Sequence, residues 1–135
     1  MAYSEILLDH FGHPRNVGEL DDPDGEISVT NPACGDIMRL QIRVRDEILE
    51  HAGWRTEGCS SSIAASSVAS ELIKGCSIKE AAQISHSDIA EALGGLPPSK
   101  LHSAVLVTDA VKGAIADYLT KHSRPSQSQR DRGSL

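Results

Sequence analysis

The hydrophobic period of this chain changes from two to 3.6 near its middle, and this change constrains the fold more than any other feature. Apolar and polar residues alternate from Met38 to Arg45, which is typical of a strand with one buried and one solvated face. Segments 27–30 and 48–56 have a similar strand character. Asp46-Glu47 favours a turn between the second and third strands. The sequence therefore predicts a three-stranded antiparallel sheet.

The residue types predict which face of each strand is buried. In the second strand, the apolar residues are expected to face the core and the alternating polar residues to face solvent: Arg39, Gln41, Arg43 and Arg45. In the third strand, Ile48, Ala52 and Trp54 are expected to share the buried side.

After Cys59 the apolar residues recur at helical spacing. The predicted stripe consists of Ile63, Ala64, Val68, Leu72 and Ile73. Gly75 is expected to end this helix. Further helices are predicted over 3–11 with Ile6, Leu7 and Phe11 on one face, over 77–83 with Ser77 as cap, from Ser87-Asp88 through 93, and over 101–121. The fold class is thus α+β, with helices packed on one face of a small antiparallel sheet.

The length of 135 residues suits a single domain. We expect that domain to occupy residues 1–122, followed by a polar, disordered tail over 123–135. A net charge of −6 argues against nucleic acid as a partner, because phosphate binding needs clustered basic residues. No apolar run approaches the roughly 20 residues of a membrane span, and no signal peptide is visible. Three cysteines, an odd number, favour free thiols in a reducing cytoplasm over a disulfide framework.

Four side chains at the predicted element ends could bind a metal. Cys34 and Asp36 lie on a Gly-containing connection between strands, Cys59 immediately precedes the central helix, and His102 begins the last one. The helix start supplies a field equivalent to about half a positive charge, which favours the thiolate of Cys59. Together these residues indicate a possible metal or thiol site.

Each of these residues, taken alone, also fits a structural role. A cysteine in a small domain is often a small buried apolar group, Asp36 after a glycine fits a turn, and His102 fits a surface position. The spacing matches no standard zinc-finger pattern. The third cysteine, Cys76, follows the far end of the central helix, about 24 Å from its start at 1.5 Å per residue. We therefore place Cys76 outside the site.

Three longer strings of residues are more specific than these spacings. They are Asn31-Pro32-Ala33-Cys34-Gly35-Asp36, Gly58-Cys59-Ser60-Ser61-Ser62-Ile63-Ala64 and Leu96-Pro97-Pro98-Ser99-Lys100-Leu101-His102. In this order, they closely resemble the U-type iron–sulfur cluster assembly scaffolds, the family of IscU and of the N-terminal domain of NifU. The resemblance extends over roughly residues 3–121 and implies an IscU-like fold.

The resemblance implies an assembly scaffold and not a conventional enzyme. A cysteine desulfurase would supply sulfur, iron would bind, and a transient [2Fe-2S] cluster would pass to recipient apo-proteins. The positions that match the family's ligands are Cys34, Asp36, Cys59 and His102, with Cys34 and Cys59 as candidate sulfur acceptors and zinc as a possible occupant of the site. The segment of Leu96, Pro97, Pro98 and Lys100 matches the one that an Hsp70-type chaperone, acting with a co-chaperone, recognises in such proteins.

Ser103 departs from the family pattern, which has a cysteine after the histidine. A hydroxyl cannot form a persulfide and is a poor iron ligand. The remaining S2NO donor set suits zinc. The sequence thus leaves open two alternatives: a zinc-binding protein or desulfurase partner that holds no cluster, and an interaction domain that binds no metal.

Overall fold

The computed structural model describes residues 3–32 and 35–122 of the chain. Its elements follow in the order α1 (Glu5–Gly12), β1 (Gly25–Thr30), β2 (Ile37–Arg45), β3 (Ile48–Glu57), α2 (Ser60–Ile73), α3 (Ile78–Ala82), α4 (His86–Ala92), a 3-10 turn (Pro98–Lys100) and α5 (Leu101–His122). Cys34 and the predicted tail over 123–135 lie outside the described residues. No helix in the described part of the chain is long and apolar enough to cross a membrane.

The three strands form one antiparallel sheet in the order β1-β2-β3, as the sequence predicts. The inward-facing residues Met38, Leu40 and Ile42 of β2 are buried. Helix α5 packs across β1 and β2, and α2 packs on β3. The predicted α+β architecture, with helices on one face of the sheet, is therefore confirmed.

Two strand residues differ from the prediction in their burial. The pairing of β2 with β3 shifts between Arg43, which pairs with His51, and Val44, which pairs with Leu49. This shift reverses the alternation at the start of β3, so that Leu49 is buried and Ile48 is 40% exposed. Gln41 was predicted to be solvated but is buried, because its side-chain amide oxygen accepts a hydrogen bond from the backbone N–H of Leu20 in the segment that crosses the outer face.

The helices begin close to their predicted starts, with one cap misplaced. Ser77 caps α3 and forms a capping box with Glu80, as predicted. Helix α4, however, is capped by Ser85 in a capping box with Asp88, and not by Ser87. The earlier serine stands three residues before the acidic side chain, which is the spacing that this motif requires.

The apolar stripes of α1 and α2 also differ from prediction. In α1 only Leu7 is buried, whereas Ile6 and Phe11 are largely exposed. In α2 Leu72 is partly exposed, and much of the buried surface is made of serines: Ser61, Ser62, Ser66, Ser67 and Ser70. These small side chains bury their hydroxyls in hydrogen bonds, and the first two of them lie at the candidate site.

Close contact between α5 and the sheet fixes the position of the last helix. A Cβ on Gly25 would lie 2.4 Å from the carbonyl oxygen of Ala114, and a Cβ on Gly113 would lie 2.9 Å from Ile27. Both positions therefore require glycine, because a side chain would push α5 away from β1. The first turn of α5 lies beside the first turn of α2, where the hydroxyls of Ser103 and Ser61 are in contact.

Candidate metal centre

Three predicted site residues converge from separate parts of the chain. Asp36 comes from the β1–β2 connection, Cys59 from the start of α2 and His102 from the first turn of α5. One ligand atom of each lies within 4.8 Å of the others. Asp36 is buried, whereas Cys59 and His102 are partly exposed. The site is thus anchored on its carboxylate side and reachable from solvent on its sulfur and imidazole side.

The β1–β2 connection turns Asp36 toward the helices. Its ends are joined by hydrogen bonds from Asn31 N–H to the Asp36 carbonyl at 2.8 Å and from Gly35 N–H to the Asn31 carbonyl at 2.7 Å. Gly35 has a φ of +80°, which a glycine adopts without strain. The Asp36 carboxylate accepts a hydrogen bond from the Ser62 hydroxyl and packs against Gly58.

Cys59 is the N-cap residue of α2, and its carbonyl accepts the N–H groups of Ser62 and Ile63. Its sulfur lies 3.0 Å from the Ser61 hydroxyl and 3.9 Å from Asp36 Oδ2. Burial alone would raise the pKa of this thiol. Hydrogen bonds from Ser61, Ser62 and His102 outweigh burial and lower the pKa from 9.0 to about 6. At neutral pH, Cys59 is therefore mostly a thiolate, the form that binds metals and attacks sulfur.

The lowered pKa predicts how Cys59 reacts in protein stripped of metal. Iodoacetamide labelling of Cys59 is expected to rise with pH through a midpoint of about 6, because the thiolate forms above that pH. Peptide mass spectrometry after short labelling pulses measures the rate at this cysteine separately. Ser61→Ala removes one stabilising hydroxyl and is expected to move the midpoint upward. A midpoint near 9 in the parent protein would contradict the prediction.

His102 follows the segment that the resemblance assigns to chaperone binding. Pro97 is extended, and Pro98–Lys100 form a 3-10 turn that leads directly into α5. Pro98 is exposed, but Leu96 is half-buried and packs against the core. The turn formed by Pro97 to Lys100 therefore lies at the surface, next to the candidate site.

Ser103 lies beneath the site, fully buried. Its hydroxyl is 2.9 Å from that of Ser61 and 3.0 Å from that of Ser62. Sequence reasoning considered Ser103 only as a missing thiol and gave no role to the serines of α2. The signal that could have indicated them is the run of three serines directly after Cys59.

Two further cysteines remain to be placed relative to this cluster. Cys34 lies outside the described residues, so its predicted place at the site stays a prediction. Cys76 follows the end of α2, where its thiol donates to the Leu72 carbonyl at 3.2 Å. Within the described ranges, the group of Asp36, Cys59 and His102 is the one set of three such side chains placed to share an ion.

The donor atoms fit a metal of the zinc or ferrous iron type. A thiolate, an imidazole and a carboxylate are all zinc ligands, with usual bond lengths of about 2.0–2.3 Å. Iron also accepts all three donors, although a carboxylate is the harder ligand. Donors within 4.8 Å of one another can meet one ion after small side-chain rotations.

A comparison with models of protein families shows the family to which this chain belongs. Residues 2–125 match the family described as the NifU-like N terminal domain. The chain belongs to this family. The match confirms the resemblance to the U-type scaffolds and spans all of the described residues.

Curated relatives of this NifU-like chain include the "Iron-sulfur cluster assembly scaffold protein IscU" of Escherichia coli K12, which is 52% identical over 125 residues, or 90% of this chain and 97% of that protein. The protein of the same description from Azotobacter vinelandii is 52% identical over 128 residues, covering 92% and 98%. IscU 1 of Archaeoglobus fulgidus is 47% identical over 122 residues, covering 90% and 80%.

Solved structures show the same fold at low sequence identity. A NifU-like N-terminal protein from Brucella abortus superimposes with a TM-score of 0.71 at 20% identity, covering 87% of this chain and 94% of that one. A scaffold protein of the SUF system from Fervidobacterium islandicum gives 0.73 at 18% identity, covering 84% and 96%. The NifU-like architecture of this chain is therefore that of known structures.

Proposed function

We propose that this protein is an iron–sulfur cluster assembly scaffold. It accepts persulfide sulfur from a cysteine desulfurase, combines it with iron once an external electron donor has reduced it to sulfide, and transfers a [2Fe-2S] cluster to recipient apo-proteins. The observation that carries the proposal is the convergence of Asp36, Cys59 and His102 from three separate elements. Relatives about half identical to this chain, and described as scaffold proteins, support it.

Cys59 is the described residue best suited to accept sulfur. Its thiolate would attack the outer sulfur of a desulfurase persulfide, forming a new S–S bond at Cys59 and releasing the desulfurase cysteine as thiolate. Cys34 is the second candidate acceptor and ligand. Ser103 takes no part in this step, because its oxygen is buried beneath the site and is a poor nucleophile at neutral pH.

The cluster is cargo in this proposal, so its ligands must also release it. Asp36 would hold iron through a carboxylate oxygen, a weaker bond than that of a thiolate, and His102 would supply a nitrogen at the solvent side. The protein then performs no net chemical conversion of a small substrate and is a scaffold rather than an enzyme. We assign it to the cytoplasm because the two described cysteines, Cys59 and Cys76, are free thiols.

The segment of Leu96, Pro97, Pro98 and Lys100 is proposed to bind an Hsp70-type chaperone, with its co-chaperone, during transfer. The exposed proline turn supports this proposal, because a preorganised segment loses little conformational entropy on binding. Since this turn leads into the helix of His102, its movement would disturb a ligand directly.

Ser103 supports a second candidate function. With a serine at this buried position, the described donors are one sulfur, one nitrogen and one oxygen, a set that suits a single zinc ion. The second candidate is thus a zinc-binding partner of the desulfurase that never holds a cluster.

Elemental analysis of protein purified without oxygen, with an absorption spectrum of the same sample, separates the two functions. Iron and sulfide together with visible charge-transfer bands would support the scaffold. Zinc near one per chain in a colourless sample would support the second candidate. Neither metal, in a folded sample, would contradict both.

Ser103→Cys is expected to increase the yield or lifetime of a reconstituted cluster, because it adds a third thiol beside the site. The absorbance of the charge-transfer bands, followed over time in air, measures both quantities. Ser70→Cys is the matched control, since it adds a thiol at a buried serine that lies in α2 and outside the cluster of Ser61, Ser62 and Ser103. An unchanged yield and lifetime would mean that the missing thiol does not limit this protein.

A further inference from the structure

Three buried hydroxyls connect two candidate ligands beneath the metal centre. Ser61 and Ser62 lie in the first turn of α2, Ser103 lies in the first turn of α5, and none of the three is exposed to solvent. Ser61 contacts the sulfur of Cys59, and Ser62 donates to the carboxylate of Asp36. Ser103 contacts both α2 serines, at 2.9 and 3.0 Å, and thereby closes the connection.

Counting protons shows why the connection depends on Ser103. A metal-bound thiolate and a carboxylate only accept hydrogen bonds, so Ser61 and Ser62 must each donate their single proton to them. The Ser103 hydroxyl then supplies the one remaining proton, and it donates a hydrogen bond to Ser61 or to Ser62, one at a time. Hydroxyls joined in this way polarise one another and strengthen the bonds to the ligands.

We propose that Ser103 is a positioning residue of the metal centre: acting through Ser61 and Ser62, its buried hydroxyl fixes the Cys59 sulfur and the Asp36 carboxylate relative to each other. Ser103 is not itself a ligand. The proposal rests on the proposed function for the identity of the site. The proposal goes beyond that function because it assigns a role to the Ser103 hydroxyl, which replaces the third thiol of the family.

Ser103→Ala tests this role, since alanine keeps most of the volume and removes the hydroxyl. Loss of an outer hydrogen-bond partner typically weakens metal binding about 10- to 100-fold, so we expect at least about tenfold weaker binding of Co²⁺ alone, with a changed d–d absorption spectrum. Ser70→Ala, which removes another buried hydroxyl of α2, is expected to leave both unchanged. Equal binding and spectra in the parent and Ser103→Ala proteins would overturn the proposal.

Repeating the Ser103→Ala change in a protein that lacks the Ser61 and Ser62 hydroxyls distinguishes positioning from direct ligation. In protein carrying Ser61→Ala and Ser62→Ala, the further change Ser103→Ala is expected to alter Co²⁺ affinity less than about twofold, because its two contacts are already gone. A full effect of Ser103→Ala in that background would mean that Ser103 acts on the metal or the fold by another route, which overturns the proposal.

A metal-free measurement keeps this test separate from the proposed function. The carboxylate ¹³C chemical shift of Asp36 is expected to change on Ser103→Ala in the parent background and to stay constant in the Ser61→Ala, Ser62→Ala background. If the parent protein binds no Co²⁺ or Zn²⁺, the proposed function fails, and this shift alone decides the role of Ser103. If Ser103→Ala left the Asp36 carboxylate shift of the parent protein unchanged, the positioning role of Ser103 would be overturned.

Discussion

Cys59→Ala is expected to abolish stoichiometric metal binding. Its thiolate is the strongest donor among the three converging side chains, and it also accepts a hydrogen bond from the Ser61 hydroxyl. Removing a ligand costs more than removing an outer partner, so the affinity should fall by more than roughly 100-fold. Titration with Zn²⁺ or Co²⁺, together with the metal content of purified protein, measures the loss.

The fold should survive this substitution. Cys59 caps α2 through its backbone carbonyl, and its side chain makes no capping bond, so alanine leaves the helix start intact. Cys76→Ala is the matched control, because it also removes a thiol but at the far end of α2. The site would be wrongly assigned if Cys59→Ala kept one ion per chain, or if Cys76→Ala lost it.

Much of the fold was predictable because local patterns agree with tertiary packing. The alternation in β2 and the long helical period of α5 correspond to elements close to the predicted ones. The error at Ile48 has a tertiary cause, since the register shift between β2 and β3 depends on both strands and is not visible in either alone. The error at Ser87 was avoidable, because Ser85 and Asp88 have capping-box spacing.

Hydrophobic periodicity did not predict correctly which helix residues fill the core. Helical spacing placed Ile6, Leu7 and Phe11 on one face of α1, yet only Leu7 is buried. Conversely, the serines of α2 are buried because each finds a hydrogen-bond acceptor or donor nearby, as Ser67 does with the Nδ1 of His10. Burial of a hydroxyl depends on partners distant in sequence, which hydrophobic periodicity does not report.

The candidate site was predictable in its residue types and not in its geometry. Position at a helix start explains why Cys59 was expected to be a thiolate. The approach of Asp36 and His102 to it depends on how α5 and the β1–β2 connection pack, which no short motif encodes. Ser103 illustrates this limit most clearly. Side-chain chemistry alone suggested a lost ligand, whereas in the structure its hydroxyl contacts Ser61 and Ser62, which contact Cys59 and Asp36 in turn.

Gly58→Ala is expected to displace the Asp36 carboxylate. An alanine Cβ at this position would lie 2.6 Å from Asp36 Cγ and 2.8 and 2.9 Å from its two carboxylate oxygens, all closer than real Cβ contacts. The backbone of Gly58 does not have a positive φ, so alanine fits the local conformation and the clash falls on Asp36. The aspartate must then leave its place beside Ser62 and Cys59.

The expected result is a loss of metal affinity of at least about tenfold, similar to that of Asp36→Ala. Because both changes remove the same carboxylate from the site, the double variant should bind no more weakly than either single variant. Gly12→Ala, where a Cβ meets no atom within 4 Å, is the control and should leave the affinity unchanged. Additive losses in the double variant would mean that Gly58 acts on the metal centre by a route other than Asp36, and parent-like affinity in Gly58→Ala would remove this carboxylate from the proposed ligands.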